Sequence, residues 1–129
     1  WSLSRGGTGA AYAGAAAMSP RVQAEMILAS EEYERGRQHF LNTCIGCHQE
    51  NGRGLPGLGL NIVPSNFVAS ASDEELARFI RSGRPVGDPN NQTGVDMPPR
   101  GGNPALQPEH IKDIVVYIRG LEAKAAAGM

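Results

Sequence analysis

Apolar positions recur at helical spacing most clearly in the middle of the chain. Ser72 precedes this stretch, and Glu75 stands three residues later, where its carboxylate can complete a capping box with the serine. The positions that then repeat at steps of three and four are Leu76, Phe79 and Ile80. The pattern predicts a helix from Ser72 to about Ser82, stopped by Gly83.

A second apolar stripe lies near the C-terminus. Its members are Ile111, Ile114, Val115, Ile118 and Leu121. They predict a helix that begins near Pro108 and runs to about Lys124. Gly120 is expected to weaken the end of this helix, and the alanine-rich tail after it is expected to fray.

Two further helices are predicted nearer the N-terminus. Pro20 can open one that continues through Leu28. Ser30 can cap another that runs to about Thr43. A glycine inside a helix costs about 1 kcal/mol relative to alanine. Gly36 is therefore expected where another helix crosses closely.

The intervening stretches, 49–70 and 84–107, are rich in glycine and proline and predict loops. The expected fold is all-α, with helices and loops wrapped around a group that supplies the missing core. Residues 1–29 are read as an N-terminal extension, either a linker or an arm packed on the domain, because residues 1–19 are mostly glycine, alanine and serine. Residues 30–129 form the domain. Within the extension, 11–18 could be helical, and Trp1, Leu3, Tyr12 and Met18 could dock.

Charge and hydropathy exclude several classes of protein. The formal net charge is −1 and the arginines are scattered, so no basic patch indicates a nucleic-acid partner. No apolar run approaches the roughly 20 residues of a membrane span. The chain begins at Trp1, so a leader or an N-terminal anchor is expected to have been removed. We expect a monomer.

Cys44-Ile45-Gly46-Cys47-His48 is the motif that carries chemistry, and it contains both cysteines of the chain. Cys-x-x-Cys-His is the attachment signature of c-type haem. Each thiol adds across one haem vinyl group to give a thioether, and the adjacent imidazole becomes the proximal iron ligand. The motif thus predicts one covalently bound haem c. A thioredoxin-like site lacks its βαβ context here, a zinc site lacks a second ligand pair, and a disulfide over this span would be tight.

The second axial ligand of such an iron must come from elsewhere in the chain. The downstream candidates are Met97, His110 and Met129. Met97 is favoured because Pro98 and Pro99 stiffen the loop that holds its sulfur. His110 and His39 are expected to face solvent.

Together these segments resemble class I monohaem cytochromes c over about residues 30–122. Gly36-x-x-x-Phe40 before the haem motif resembles the family's N-terminal helix, and Tyr117-Ile118-x-x-Leu121 its C-terminal helix. In the family these helices cross at the glycine and the aromatic residue. Met97 falls where the family's distal methionine loop lies.

One departure concerns the partner of the proximal histidine. The family often has Gly-Pro-Asn-Leu about a dozen residues after that histidine, and the proline carbonyl accepts a hydrogen bond from the imidazole. This chain has Gly59-Leu60-Asn61-Ile62. Because a carbonyl does not depend on the side chain, Leu60 can still accept from His48, with Pro56 as a rival.

The expected function is one-electron transfer rather than enzymatic catalysis. The partners would be redox proteins, such as a quinol-oxidising complex as donor and a terminal oxidase or other reductase as acceptor. They would dock transiently near the exposed haem edge. The residues considered for an apolar rim at this edge, or equally for the core, are Ile45, Leu55, Leu58, Met97, Pro98 and Pro99. Arg84 and Arg100 are candidates to pair with the haem propionates, or equally to be solvated.

Two alternatives remain open. The chain could be a haem c subunit or domain fixed to an oxidase or a dehydrogenase, or it could be a haem enzyme or sensor with an open sixth site. Because this haem attachment occurs outside the cytoplasm in bacteria, the expected location is the periplasm or the extracytoplasmic face of a bacterial membrane.

Overall fold

The computed structural model of the protein describes residues 18–91 and 93–129. Within those residues there are six α-helices and one short 3₁₀ helix. In chain order they are α1 Pro20–Leu28, α2 Glu31–Thr43, α3 Ile45–His48, α4 Asn66–Ser70, α5 Asp73–Ser82, the 3₁₀ helix Pro99–Gly102 and α6 Pro108–Ala126. The described residues form no extended strand, only two isolated bridges, Leu55 with Gly59 and Arg84 with Met97. The predicted all-α class is confirmed.

The predicted helix starts are confirmed by their caps. The Ser30 hydroxyl accepts from the Tyr33 backbone N–H at the start of α2. At α5, the Ser72 hydroxyl accepts from the Glu75 N–H, and the Glu75 carboxylate accepts from the Ser72 N–H. Such caps satisfy backbone donors that the first helical turn leaves free. The local sequence therefore determines where these helices begin.

The predicted loops contain short helices that the hydrophobic pattern did not indicate. Helix α4 begins because the Ser65 hydroxyl accepts from the Val68 N–H, and α3 is a single turn directly after α2. Each is shorter than the window in which helical periodicity becomes visible. Helix α6 also continues beyond the predicted Lys124 to Ala126.

Helices α2 and α6 cross at Gly36. A Cβ atom at Gly36 would overlap the backbone carbonyl of Asp113 and would also lie close to the Ile114 nitrogen. The close helix crossing expected from the sequence is therefore confirmed. Across the same interface, Arg35 Nε donates to Asp113 Oδ2 at 2.9 Å.

The hydrophobic core lies mainly between α5, α6 and the C-terminal half of α2. Its largest fully buried side chains are Phe40 and Ile114. The other core members include Val68, Leu76, Ile80, Leu106, Ile111, Val115, Tyr117 and Ile118. All five positions of the predicted C-terminal stripe pack in or against this core, which explains the orientation of α6.

The described part of the N-terminal extension packs on the domain. In α1, Ala24 and Ile27 are buried, and the helix contacts α6. Helix α1 can approach α6 closely because residue 120 is a glycine. A Cβ at Gly120 would overlap the Tyr33 ring and contact Ile27. Gly120 thus allows close packing against α6 and does not end this helix. The predictions for residues 1–17 lie outside the described residues.

One buried arginine joins α6 to α4, to the start of α5 and to the segment between them. Arg119 is 4% exposed. Its guanidinium pairs with Asp73 and Glu122, both at 2.8 Å, and donates to the carbonyls of Val68 and Ala71. Because buried charges need partners, this complete set of contacts explains how Arg119 is accommodated.

The two remaining histidines lie differently from the prediction that they face solvent. His39 of α2 and His110 of α6 are half-buried, and their rings stack with centroids 4.4 Å apart. The Gln107 N–H donates to His110 Nδ1 at 3.0 Å, so this imidazole also caps α6. The α2–α6 crossing brings the rings together. That contact depends on tertiary structure and has no signal in either helix alone.

A search of the described residues for a membrane span finds no helix that combines the necessary length and apolar character.

Candidate functional site

The residues of the haem motif lie where α2 passes into α3. Cys44 ends α2, and its N–H donates to the Phe40 carbonyl at 2.8 Å. Cys47 and His48 follow within the single turn of α3. Steps of three and four residues place side chains on one face of a helix. All three side chains border the same cavity, and both cysteines are free thiols.

This cavity has a volume of about 490 Å³. Its wall from α4 and α5 is mostly apolar and is formed by Phe67, Val68, Leu76, Phe79 and Ile80. Cofactor pockets are typically apolar, of about 300–1,000 Å³, with a few polar groups that fix orientation. The cavity therefore has the size and lining of a site for a large apolar group.

His48 is held by the backbone carbonyl of Leu60. Its Nδ1 lies 2.9 Å from the Leu60 oxygen, and because a carbonyl only accepts, the proton is on Nδ1. Nε2 is then left without a proton and can bind a metal. Burial lowers the pKa of His48 from its ordinary value, and the bond to Leu60 opposes this only in part. Burial therefore favours the neutral imidazole, and the bond to Leu60 fixes its tautomer. This is the form that coordinates iron.

The loop that supplies the Leu60 carbonyl is closed by its own backbone. Leu55 and Gly59 exchange two hydrogen bonds, of 3.0 and 3.1 Å. A Cβ at Gly59 would overlap the Cys47 carbonyl, so the loop lies directly on α3. These backbone contacts hold the loop in place although Leu60 stands where the resembled family often has a proline. Leu60, and not the rival Pro56, is the acceptor.

The Cys44 thiol lies in surroundings that are less polar than water. Burial, with a smaller contribution from neighbouring Cys47, raises the pKa of Cys44 to about 12. The Cys44 thiol is therefore protonated at neutral pH. A protonated thiol carries the hydrogen that its addition across a vinyl group transfers to carbon.

Met97 borders the same cavity and is fixed through its backbone. The Arg84 N–H donates to the Met97 carbonyl at 2.7 Å, and the Met97 N–H donates to the Arg84 carbonyl at 2.9 Å. Gly83, at the end of α5, lies so close that a Cβ would overlap the Met97 carbonyl. The methionine proposed from the sequence is thus tied to the end of α5. Neither His110 nor Met129 lines the cavity.

The two arginines suggested for propionate pairing are placed differently. Arg84 lines the cavity, with its guanidinium carbon 4.8 Å from the Phe79 ring centroid and 5.4 Å from that of Phe67. Its Nε is buried and has no acceptor among the described residues. Arg100 does not line the cavity, and its Nη1 donates to the Pro104 carbonyl at 3.4 Å.

Of the residues suggested for an apolar rim, some border the cavity and others do not. Leu58 and Pro98 border the cavity and are exposed, whereas Leu55 is exposed without bordering it. The sequence also missed polar residues on the cavity wall. These are Thr43, Asn61, Ser65, Asn66, Asn91, Thr93 and Asp96. Asparagine and serine are ordinary loop residues, so their types alone carried no signal.

The side chains around the cavity match a haem in kind. Two thiols can form the thioethers, an imidazole with a free Nε2 can bind the iron, and a thioether sulfur borders the same space. The unpaired Nε of Arg84 suits a carboxylate such as a propionate. In the described part of the chain, no cluster of three His, Cys, Asp or Glu side chains is arranged to hold a metal ion directly.

Comparison with known proteins agrees with this site. A sequence model of the family described as Cytochrome c matches residues 33–122, more than two thirds of the chain. Neither the curated proteins nor the solved structures gave a match. The matched region begins within α2, includes the haem motif and Met97, and ends within α6. The chain therefore belongs to the cytochrome c family, as a class I c-type cytochrome.

Proposed function

We propose that this protein is a one-electron carrier with a single haem c and His48–Met97 axial ligation. Membership of the cytochrome c family implies covalent haem c and haem-based electron transfer. The bound haem would supply an iron that accepts and returns one electron. The proposal of one haem c with these two ligands rests on one observation. Cys44, Cys47, His48 and Met97 all border one apolar cavity.

Each of these side chains has a distinct task. Cys44 and Cys47 would hold the haem through two thioethers, and His48 Nε2 and the Met97 sulfur would bind its iron. With both ligands in place, no position on the iron would remain open to a substrate. A thioether ligand raises the reduction potential relative to a second imidazole. Apolar walls act in the same direction, because they disfavour the extra positive charge of the oxidised iron.

Neighbouring groups orient these ligands. The Leu60 carbonyl accepts from His48 Nδ1 at 2.9 Å and fixes the plane and tautomer of the ring. Arg84 Nε would donate to a haem propionate, which would give this buried N–H the acceptor that it needs. The position of Arg100 offers no comparable support for a propionate contact.

We place this carrier between redox proteins outside the cytoplasm. A quinol-oxidising complex is a suitable donor, and a terminal oxidase or another reductase a suitable acceptor. Attachment of haem at Cys-x-x-Cys-His outside the bacterial cytoplasm supports this location. Exposed Leu58 and Pro98 at the cavity mouth provide apolar surface for brief docking of a partner.

Replacement of Met97 tests the axial assignment. We expect Met97→Ala to remove the weak long-wavelength band that sulfur ligation gives oxidised haem. We also expect it to lower the reduction potential and to allow carbon monoxide to bind the reduced protein rapidly. Absorption spectroscopy, redox titration and flash photolysis measure these changes. Met26→Ala is the matched control, because Met26 is 51% exposed and does not border the cavity.

Two results would contradict the proposal. If the Met97→Ala spectrum and potential match those of Met26→Ala, Met97 is not an axial ligand. If the unaltered protein binds carbon monoxide rapidly or turns over peroxide, its sixth site is open and the enzyme or sensor alternative is correct. Stable co-purification with an oxidase or dehydrogenase would instead identify a fixed subunit.

A further inference from the structure

The Arg84–Met97 bridge closes the base of loop 84–97, of which the structure describes residues 84–91 and 93–97. The two backbone hydrogen bonds of this bridge fix the ends of the loop together. Between them the described residues form turns but no regular element. A loop of this kind loses conformational entropy on ordering, so it needs contacts that hold its two arms together.

The side chain of Asn91 contacts both arms of this loop. On one arm, its Nδ2 lies 3.4 Å from the Arg84 carbonyl oxygen and 3.3 Å from that of Pro85. On the other arm, Nδ2 donates to the Val95 carbonyl at 2.9 Å, and Oδ1 accepts from the Gly94 N–H at 2.9 Å. One half-buried amide therefore connects the segment after α5 to the segment before Met97.

Asn91 is also linked directly to the bridge. The Arg84 carbonyl that faces Asn91 Nδ2 is the same carbonyl that accepts from the Met97 N–H. The orientation of the amide follows from its neighbours, because three carbonyl oxygens surround the nitrogen and an N–H points at the oxygen. A second cross-link, from the Val86 N–H to Asp96 Oδ1, lies on the exposed side of the loop.

We propose that Asn91 is the positioning residue for Met97: its amide holds the two arms of loop 84–97 together and so keeps the sulfur at the haem cavity. This inference rests on the proposed function, since it assumes that Met97 is an axial ligand. Asn91 borders the cavity but acts through the loop backbone. Its loss frees the Met97 segment without removing the ligand.

Asn91→Asp tests the inference with almost no change in shape. The aspartate keeps an oxygen for the Gly94 N–H, but it replaces the donating NH₂ with an oxygen that faces three carbonyls. The resulting repulsion opens the loop. Asn90→Asp is the matched control, since it adds the same charge to the same loop at an exposed side chain for which the described residues provide no hydrogen-bond partner.

Two measurements on the haem-loaded protein separate the outcomes. In Asn91→Asp we expect the sulfur-ligation band to disappear at a lower pH than in the unaltered protein. We also expect amide hydrogen exchange at Gly94 and Met97 to become at least about tenfold faster, because exchange reports local opening. Asn90→Asp should retain the unaltered values in both measurements.

Equal behaviour of Asn91→Asp and Asn90→Asp would overturn the inference, while the effect of Met97→Ala would leave the proposed function intact. If the unaltered protein shows no sulfur band at all, both the proposed function and the role of Asn91 as a positioning residue fail. The amide exchange would then show only whether Asn91 holds the loop closed. The sulfur band thus tests whether Met97 is a ligand, and the exchange rates test whether Asn91 closes the loop.

Discussion

Tyr117 combines two effects that act on a single side chain. Its ring lies between those of Tyr33 and Phe40, with each pair of centroids 5.1 Å apart. Its hydroxyl donates to the Glu50 carbonyl at 2.8 Å. The ring adds apolar packing at the α2–α6 crossing, and the hydroxyl joins α6 to the segment that follows His48. The same side chain thus supports the core and the cofactor motif.

Tyr117→Phe is expected to lower the free energy of unfolding by about 1 kcal/mol, because it removes one hydrogen bond and leaves the Glu50 carbonyl without this donor. Urea unfolding of the haem-loaded protein measures the difference. Tyr33→Phe is the control, because no hydrogen bond of the Tyr33 hydroxyl occurs among the described residues. Equal losses in the two variants would show that the Tyr117 hydrogen bond contributes nothing.

Ionisation of the same hydroxyl lowers the free energy of unfolding at alkaline pH. Burial, with a smaller effect of Tyr33, raises the pKa of Tyr117 to about 12 from its ordinary value of 10.0. The stability that comes from keeping this phenol neutral is therefore complete below about pH 10 and is lost as pH rises through about 12. The unfolding free energy of Tyr117→Phe should fall less steeply over this range. A parallel fall in both proteins would contradict the shift.

Individual site residues differed in how far the sequence could predict them. Cys44, Cys47 and His48 follow from the motif, and the Leu60 carbonyl follows from the resemblance to the family's Gly-Pro-Asn-Leu segment. Asn91 could not be predicted, because its contacts exist only after both arms of its loop are placed. The stacking of His39 on His110 is likewise a product of the helix crossing.

At the scale of elements, the α2–α6 crossing depends on one missing side chain. A Cβ at Gly36 would overlap a backbone carbonyl of α6, which cannot rotate away as a side chain could. We expect Gly36→Ala to lower the free energy of unfolding by about 1–3 kcal/mol, as overpacking does. Chemical denaturation measures this loss, and the reduction potential should change little.

Gly87→Ala is the matched control for this prediction. A Cβ at Gly87 would meet no atom within 4 Å, and its φ does not lie in the left-handed region. Its stability should therefore remain close to that of the unaltered protein. If Gly36→Ala and Gly87→Ala have the same free energy of unfolding, the two helices can separate slightly without cost and the crossing is not tight.

Long helices were predictable from the sequence because caps and stripes act locally. Ser30, Ser72 and the stripe of α6 each indicated an element that the structure contains. The single turns α3 and α4 are too short to show a period, and packing of α6 against Tyr33 overrides the weak helix propensity of Gly120. Tertiary contacts therefore explain most of what local patterns missed.

At the scale of the whole molecule, the fold is arranged around the space for its cofactor. The cavity of about 490 Å³ is bordered by Val68, Leu76, Ile80 and Ile118, which also belong to the hydrophobic core. A haem bound in this cavity would contact these side chains directly and would therefore be part of the core.

We accordingly expect that a doubly substituted protein, Cys44→Ala with Cys47→Ala, loses fixed tertiary structure when it is prepared without haem. Near-ultraviolet circular dichroism should be lost while much of the helical far-ultraviolet signal remains. Addition of free haem should restore part of the near-ultraviolet signal, since a ligand that binds only the folded state stabilises that state. A cooperative melt near that of the haem-loaded protein would refute this expectation.

The bridge between Arg84 and Met97 fixes both ends of the loop at the end of α5. Changes at the outer turn around Val86 and Gly87 therefore need not move the sulfur, provided that they keep the Asn91 contacts and the bond from the Val86 N–H to Asp96 Oδ1 that hold the two arms together. The cost of closing a loop rises only slowly with added residues. Val86 is 54% exposed. This turn is thus a natural insertion point, where a tag or a partner-specific sequence could be exchanged while the redox centre stays unchanged.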